Sequence, residues 1–157
     1  MHSDLHPAQQ PFGDPAAILE SITDAFFALN RNWEFTYLNR QAEKVLGVDR
    51  QALIGKSIWA VYAGLAGSKF EEVYRKAARD LESDSFTAYF PEHDRWYEVH
   101  VYPASIGMSV YFRDVTGRVR LEEQLRESEL RFRLMADAIP QIVWITDAGG
   151  RTMFFNQ

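Results

Sequence analysis

The chain has 157 residues, 46% hydrophobic and 14% aromatic, enough for a packed domain plus part of another and too apolar for a disordered chain. Zero cysteines exclude a disulfide framework, a thiolate metal site and any chromophore attached covalently through a thiol. A net charge of −5 without a basic, aromatic-interleaved cluster argues against nucleic acid as a partner, and no apolar run approaches the roughly 20 residues that span a membrane, so the expected setting is cytoplasmic.

In chain order, residues 1–14 carry Pro7, Pro11 and Gly13 among few apolar side chains and are expected to be a flexible tail. Pro15 to Ser21 reads as a short helix with Asp14 as N-cap and Pro15 at the first helical position, where a missing N–H costs nothing. Ala25 to Leu29 and Phe35 to Asn39 are short aromatic and β-branched runs around a polar turn, the pattern of a hairpin. Asn39 and Gly47 bracket a helix whose apolar face is Ala42, Val45 and Leu46, and Asp49 and Gly55 bracket a second. Ser68 and Glu71 form a capping box for the longest helix before the linker, on which Phe70, Val73, Tyr74, Ala77 and Leu81 recur at helical spacing. Three strands follow, Ser85 to Phe90, Trp96 to Tyr102 and Met108 to Arg113. This order predicts an α+β domain, a five-stranded antiparallel sheet with short helices on one face.

Alternation along the last two strands assigns their faces. Tyr97, Val99, Val101, Met108, Val110 and Phe112 should point at the helices, and Trp96, Glu98, His100, Tyr102, Ser109, Tyr111 and Arg113 away from them. Tyr97, Val99, Val101, Val110 and Phe112, with Phe27, Leu29, Trp59 and Tyr74, line a candidate cavity, although such an aromatic stripe more often makes a filled core than a ligand site. Trp96, His100, Tyr102 and Tyr111 would make an exposed aromatic patch, a contact surface for a second protomer or for the N-terminal helix. Haem is disfavoured, because His100 faces outward, His93 lies in a turn, and His2 and His6 lie in the tail; a non-covalent flavin or a small organic ligand stays open. Glu92, His93 and Asp94 read as a solvated turn and not as metal ligands, and Glu98 with His100 sits on the outer face, so no catalytic or metal-binding residues are assigned.

From residue 117 to 138 the sequence is charged and strongly helical. Leu121, Leu125, Ser128, Phe132, Met135 and Ile139 fall at steps of 4, 3, 4, 3 and 4, the seam of a coiled coil. Glu122 with Arg126, Glu127 with Arg131 and Glu129 with Arg133 add acid-first pairs one turn apart. The seam predicts a homodimer through this linker, the alternative being a lone helix folded back on its own domain. Ser128 at a core position weakens that seam. Asp114 and Thr116 stand at the junction of last strand and linker, where their hydrogen bonds would set the exit of the helix.

Ile22 to Arg40 can be laid without a gap on Ile139 to Gln157, each residue 117 positions from its counterpart. Residues 139–157 are therefore expected to start a second copy of the module in a longer tandem protein. With barely two strands of that copy, Trp144, Met153, Phe154 and Phe155 are expected to be poorly protected.

The runs YLNRQAEKVLGVDRQALIGKSIW, RWYEVHVYP and SVYFRDVT, in that order, resemble a PAS domain over about Ala16 to Thr116, and Asp114-Val115-Thr116 resembles the D-x-T signature that ends many of them. The resemblance implies the PAS fold over residues 15–116 and the start of a second PAS domain at 139–157. It also implies a sensory module of a bacterial signalling protein, upstream of an output in the same chain: a two-component sensor histidine kinase or, alternatively, a diguanylate cyclase. Asp114 and Thr116 would then relay a change in the sheet to the linker. A ligand-free spacer in a PAS array and a small α+β enzyme remain as other readings.

Overall fold

The computed structural model describes residues 14–138 and 144–155, with side chains described for 14–138 and 145–151. The chain divides after Val115 into two units. The first runs α1 (Pro15–Ser21), β1 (Ala25–Asn30), β2 (Phe35–Leu38), α2 (Arg40–Leu46), α3 (Arg50–Leu53), α4 (Ile58–Val61), a 3-10 turn (Ala63–Leu65), α5 (Lys69–Asp80), β3 (Asp84–Phe90), a second 3-10 turn (Pro91–His93), β4 (Arg95–Ala104) and β5 (Gly107–Asp114). The strands form one antiparallel sheet in the order β2-β1-β5-β4-β3.

The register places Val99 opposite Phe112 and Val101 opposite Val110 in the centre of that sheet. Their side chains, with Tyr97 and Met108, are buried on one face together with Phe27, Leu29 and Phe35, as the alternation predicts. The helices complete this core with Ala42, Leu53, Ile58, Phe70, Val73, Tyr74 and Ala77.

Local sequence accounts for most helix ends. The Asp14 carboxylate accepts from the Ala16 N–H, the Asn39 side chain accepts from the Ala42 N–H, and Gly47 closes α2 in the left-handed conformation at φ 67°. Two details differ from the sequence reading. The Ser68 hydroxyl accepts from Phe70 N–H, and the Glu71 carboxylate reaches back to Gly67 N–H, so each half of the expected box bonds to the residue one position before the expected donor. Helix α4 and the turn after it were not foreseen. Four residues carry no period, and Ser57 makes no capping bond; α4 is held instead by the buried Ile58, whose N–H donates to the Trp33 carbonyl at 2.9 Å.

Asn39 is the polar centre of the first unit, with 0% of its surface exposed. Its amide oxygen accepts from Phe26 N–H at 3.0 Å and Ala42 N–H at 2.8 Å, and its amide nitrogen donates to the carbonyls of Leu19 and Asp24 at 3.1 and 3.0 Å. One side chain thereby ties α1, the start of β1 and the start of α2 together. Arg50 adds a second clamp, bridging Glu20 of α1 and Glu43 of α2 at 2.7 Å each. The guanidinium hydrogen bonds hold both carboxyls below the usual carboxylate range.

The second unit holds α6 (Thr116–Asp137) and the antiparallel hairpin of β6 (Trp144–Thr146) and β7 (Thr152–Phe155). On α6, Glu122 pairs with Arg118 at 3.5 Å, the base-first order, and not with Arg126. The β6–β7 turn is built as the β1–β2 turn is. Asn30 accepts at its side-chain oxygen from the N–H groups of Asn32 and Glu34 at 2.9 and 3.0 Å; 117 positions on, Asp147 accepts from Gly149 and Arg151 at 2.9 Å each. The register slips at the same place, between Ala28 and Leu29 in one hairpin and between Ile145 and Thr146 in the other. Corresponding residues of the two turns are left-handed, Trp33 at φ 63° and Gly150 at φ 79°. The expected tail (residues 1–13), Ile139, Asn156 and the side chains of Trp144, Met153, Phe154 and Phe155 lie outside the described residues.

Candidate functional site

Between the inner face of the sheet and helices α2, α4 and α5 lies a cavity of about 50 Å³. Of the nine lining residues expected from sequence, Phe27, Tyr74, Tyr97, Val99 and Phe112 line it. Leu29, Val101 and Val110 are buried in the same core without reaching the cavity. Trp59 turns elsewhere: its ring meets Trp33 at 5.0 Å, with the Arg75 guanidinium 4.8 Å above it. Its indole nitrogen is the buried side-chain polar atom left without a partner among the described residues.

The wall is a closed circuit of six rings. Phe27 touches Phe112, Phe112 touches Tyr97, Tyr97 touches His93, His93 touches Tyr62, Tyr62 touches Phe35 and Phe35 returns to Phe27, with centroids 5.3 to 6.5 Å apart. The interplanar angles run from 58° to 89°, the tilted and edge-to-face range that opposes the positive ring edge to a negative face. Phe90 adds a seventh ring, 4.9 Å from His93 and 6.2 Å from Tyr62.

The polar end of the cavity was missed by the sequence reading, which left His93 in a solvated turn. The turn is real, but it joins β3 to β4 with the imidazole carried inward to the cavity wall. Tyr97, four residues on, is on the inward face of β4, and its hydroxyl stands 2.8 Å from His93 Nδ1. The neighbouring Glu92 carboxylate accepts from the Gly64 N–H at 2.6 Å, latching the turn to the helical side. The available signal was the separation of four between His93 and an inward-facing Tyr97, legible only once the turn is known to curl back.

Burial sets the protonation of this end. It lowers the His93 imidazole below its usual value, with Arg95 adding to the effect, so the ring is neutral at neutral pH. It pushes the Tyr97 phenol up to about 12 and raises Tyr62 and Tyr74 as well. Among the described residues no Asp, Glu, Lys or Arg lines the cavity. Among the described residues no group of three His, Cys, Asp or Glu is placed to hold a metal. Ligand pockets for drug-sized molecules occupy roughly 300–1,000 Å³, several times this space, and a tricyclic flavin belongs to that class.

The outer face departs from a single patch. Tyr102 and Tyr111 meet at 5.7 Å, and Tyr111 packs at 4.7 Å on Phe26, which also touches Tyr37 and is buried although it faces outward. Trp96 stacks on Tyr89 at 5.6 Å, six residues and about 20 Å along β4 from Tyr102. His100 lies opposite Tyr111 in the register. Two aromatic clusters thus occupy this face, and Tyr102 remains 49% exposed.

Asp114 ends β5 and lies 3.2 Å from Arg95. Thr116 opens α6, on which Leu121, Leu125, Phe132 and Met135 are between 50% and 67% exposed, with Ser128 exposed among them. Leu130 and Leu134 are exposed as well and belong to another face of the helix. No helix among the described residues is long and apolar enough to cross a membrane.

The family model of the PAS fold matches residues 19–120. No curated protein matches by sequence. The fold is similar to an RNA-binding light-oxygen-voltage receptor, with TM-score 0.60 and 19% identity over 86% of this chain and 41% of the receptor, so the chain spans about two fifths of that protein's length. It is also similar to a PAS domain from Colwellia psychrerythraea, with TM-score 0.55 and 15% identity over 65% of this chain and 94% of the other. A sensory box sensor histidine kinase from Vibrio cholerae aligns with TM-score 0.51 and 16% identity over 64% of this chain and 88% of its own.

Proposed function

The chain belongs to the PAS fold family, and from that premise we propose that residues 15–116 are a non-catalytic sensory and dimerisation module. A change in the packing of the cavity is passed by β5 through Asp114 and Thr116 to the linker helix. The observation that carries this reading is the apolar seam of α6. Four large side chains at heptad spacing stand half exposed or more on a 22-residue helix that follows the last strand after one residue. A helix of that composition lowers its free energy by pairing. A second copy of the chain supplies the matching seam, and the Tyr102–Tyr111 cluster adds to the contact.

The output is a two-component sensor histidine kinase, a reading supported by the fold's likeness to the Vibrio cholerae kinase. A diguanylate cyclase is the alternative output. Residues 139–157 begin a second PAS domain, supported by the shared turn geometry and shared register slip of the two hairpins.

Sedimentation equilibrium tests the dimer. The wild-type chain should self-associate, Leu125→Asp should abolish association, and Ser128→Leu should strengthen it by about a hundredfold, since each protomer adds one buried apolar side chain worth about tenfold. Association unaffected by both substitutions would remove α6 from the interface. The small cavity also favours a second reading, a ligand-free spacer. Native mass spectrometry separates the two: a stoichiometric retained molecule supports sensing, and a bare chain under all growth conditions supports the spacer.

A further inference from the structure

The cavity has one polar end, no charged wall and little room. Its six-ring circuit is apolar except at His93, Tyr97 and Tyr62, which stand together. An ion placed there would have no counter-charge among the lining residues, Arg95 beside the Tyr97 hydroxyl being already paired with Asp114 at 3.2 Å, and a buried unpaired charge is expelled or neutralised. An apolar gas would leave the His93–Tyr97 pair without an added partner. The room itself limits the size of any occupant, since a cavity of about 150 Å³ is what takes up benzene, with its six non-hydrogen atoms.

We infer that the cavity of about 50 Å³ takes an uncharged molecule of roughly two or three non-hydrogen atoms with one hydrogen-bonding end, a one- or two-carbon alcohol or aldehyde. The alkyl body lies against Phe27, Phe112 and Val99. The oxygen lies at the His93–Tyr97 pair, whose neutral ring and hydroxyl between them offer both a donor and an acceptor. Tyr97 and His93 are therefore the residues that set specificity. This rests on the cavity being the input site of the sensory module.

The test is methyl NMR of the intact chain near neutral pH, titrated separately with xenon, ethanol, formate and methylammonium. Xenon reports the space alone. Xenon and ethanol should each shift the methyl resonances of Ile58, Leu65 and Val99, which line the cavity, saturably, and the two ions should not. His93→Phe and Tyr97→Phe should each weaken ethanol by about tenfold, the worth of one hydrogen bond, while xenon stays within about twofold. Failure of xenon to enter, formate binding as tightly as ethanol, or ethanol indifferent to both substitutions would each overturn the inference. Val99→Ile, which takes up part of the space and leaves the Ile58 and Leu65 methyls as reporters, keeps the two levels apart; Leu46→Phe serves the same end if that variant misfolds. If filling abolishes ethanol binding but leaves dimer assembly and α6 helicity unchanged with or without the alcohol, the ligand class stands and the signalling reading of the cavity falls.

Discussion

Replacing Asn39 with alanine should cost the domain a large part of its stability, and the size of the loss follows from four bonds. The bonds from Phe26 N–H and Ala42 N–H are buried, so each donor left without an acceptor costs about 1–3 kcal/mol. The bonds to the Leu19 and Asp24 carbonyls are only part-buried; water replaces them in the variant, and each counts for about 0.5 kcal/mol. The total is about 3–7 kcal/mol, against a stability of about 5–15 kcal/mol for a domain of ordinary size. With a urea dependence of about 1 kcal/mol per molar, the unfolding midpoint followed by tryptophan fluorescence should fall by roughly 3 M or more. Asn39→Asp sharpens the test. It keeps both acceptor bonds, loses the two donors and turns a carboxylate toward two carbonyls, which raises its folded pKa above the unfolded value. The variant should then be weakest at neutral pH and regain stability as the pH falls through that pKa toward the unfolded value of about 3.9. A loss in Asn39→Ala below about 1 kcal/mol would refute the claim that this side chain holds α1, β1 and α2 together.

His93 gives a pH dependence of fixed sign. Its folded pKa is below the unfolded value near 6.5, so the unfolded chain binds the proton first; this contribution is complete above that value and is lost as the pH falls from it toward the folded pKa. An NMR titration of the imidazole should give a midpoint below 6.5, and His93→Phe should flatten the melting temperature between pH 7 and 5; a midpoint at or above 6.5 would contradict the burial described. Trp33→Gly should relieve about 1 kcal/mol of left-handed strain and still destabilise the domain by about 1–2 kcal/mol, because the ring contacts with Trp59 and Arg75 are lost. A variant more stable than wild type in chemical denaturation would show that the tryptophan contributes less than the strain it brings.

The sheet was legible because its signal is local and repeated. Strict alternation over Tyr97 to Tyr102 and Met108 to Arg113 fixes two faces at once, and the structure buries the residues that alternation points inward. Helix ends were legible where a single side chain makes the cap, as at Asp14, Asn39 and Asp49. Legibility ended where tertiary bonds replace local ones. Asn39 reads as an N-cap, which it is, yet three of its four bonds go to residues 13 to 20 positions away. Helix α4 depends on a carbonyl of Trp33, 25 positions back. Phe26 is buried on the side assigned to solvent because Tyr37 and Tyr111 close over it, and alternation carries no information about what neighbours on the same face will cover.

The same limit explains why the cavity's body was anticipated and its polar end was not. Aromatic residues on inward strand positions mark an apolar wall whatever the loops do, so Phe27, Tyr97 and Phe112 follow from periodicity. His93 follows from nothing in its own neighbourhood: Glu92, His93 and Asp94 are ordinary turn residues, and what turns the imidazole inward is a 3-10 turn closed by the Asp94 N–H on the Pro91 carbonyl and tied by Glu92 to Gly64, 28 positions away. The Tyr89 hydroxyl, donating to the Asp94 carboxylate at 2.6 Å, fastens the same turn to β3. An occupant whose oxygen engages His93 and Tyr97 therefore acts where this turn meets β4. Tyr97 stands opposite Asp114 in the register, so the proposed relay would start from a residue paired with the last residue of the sheet.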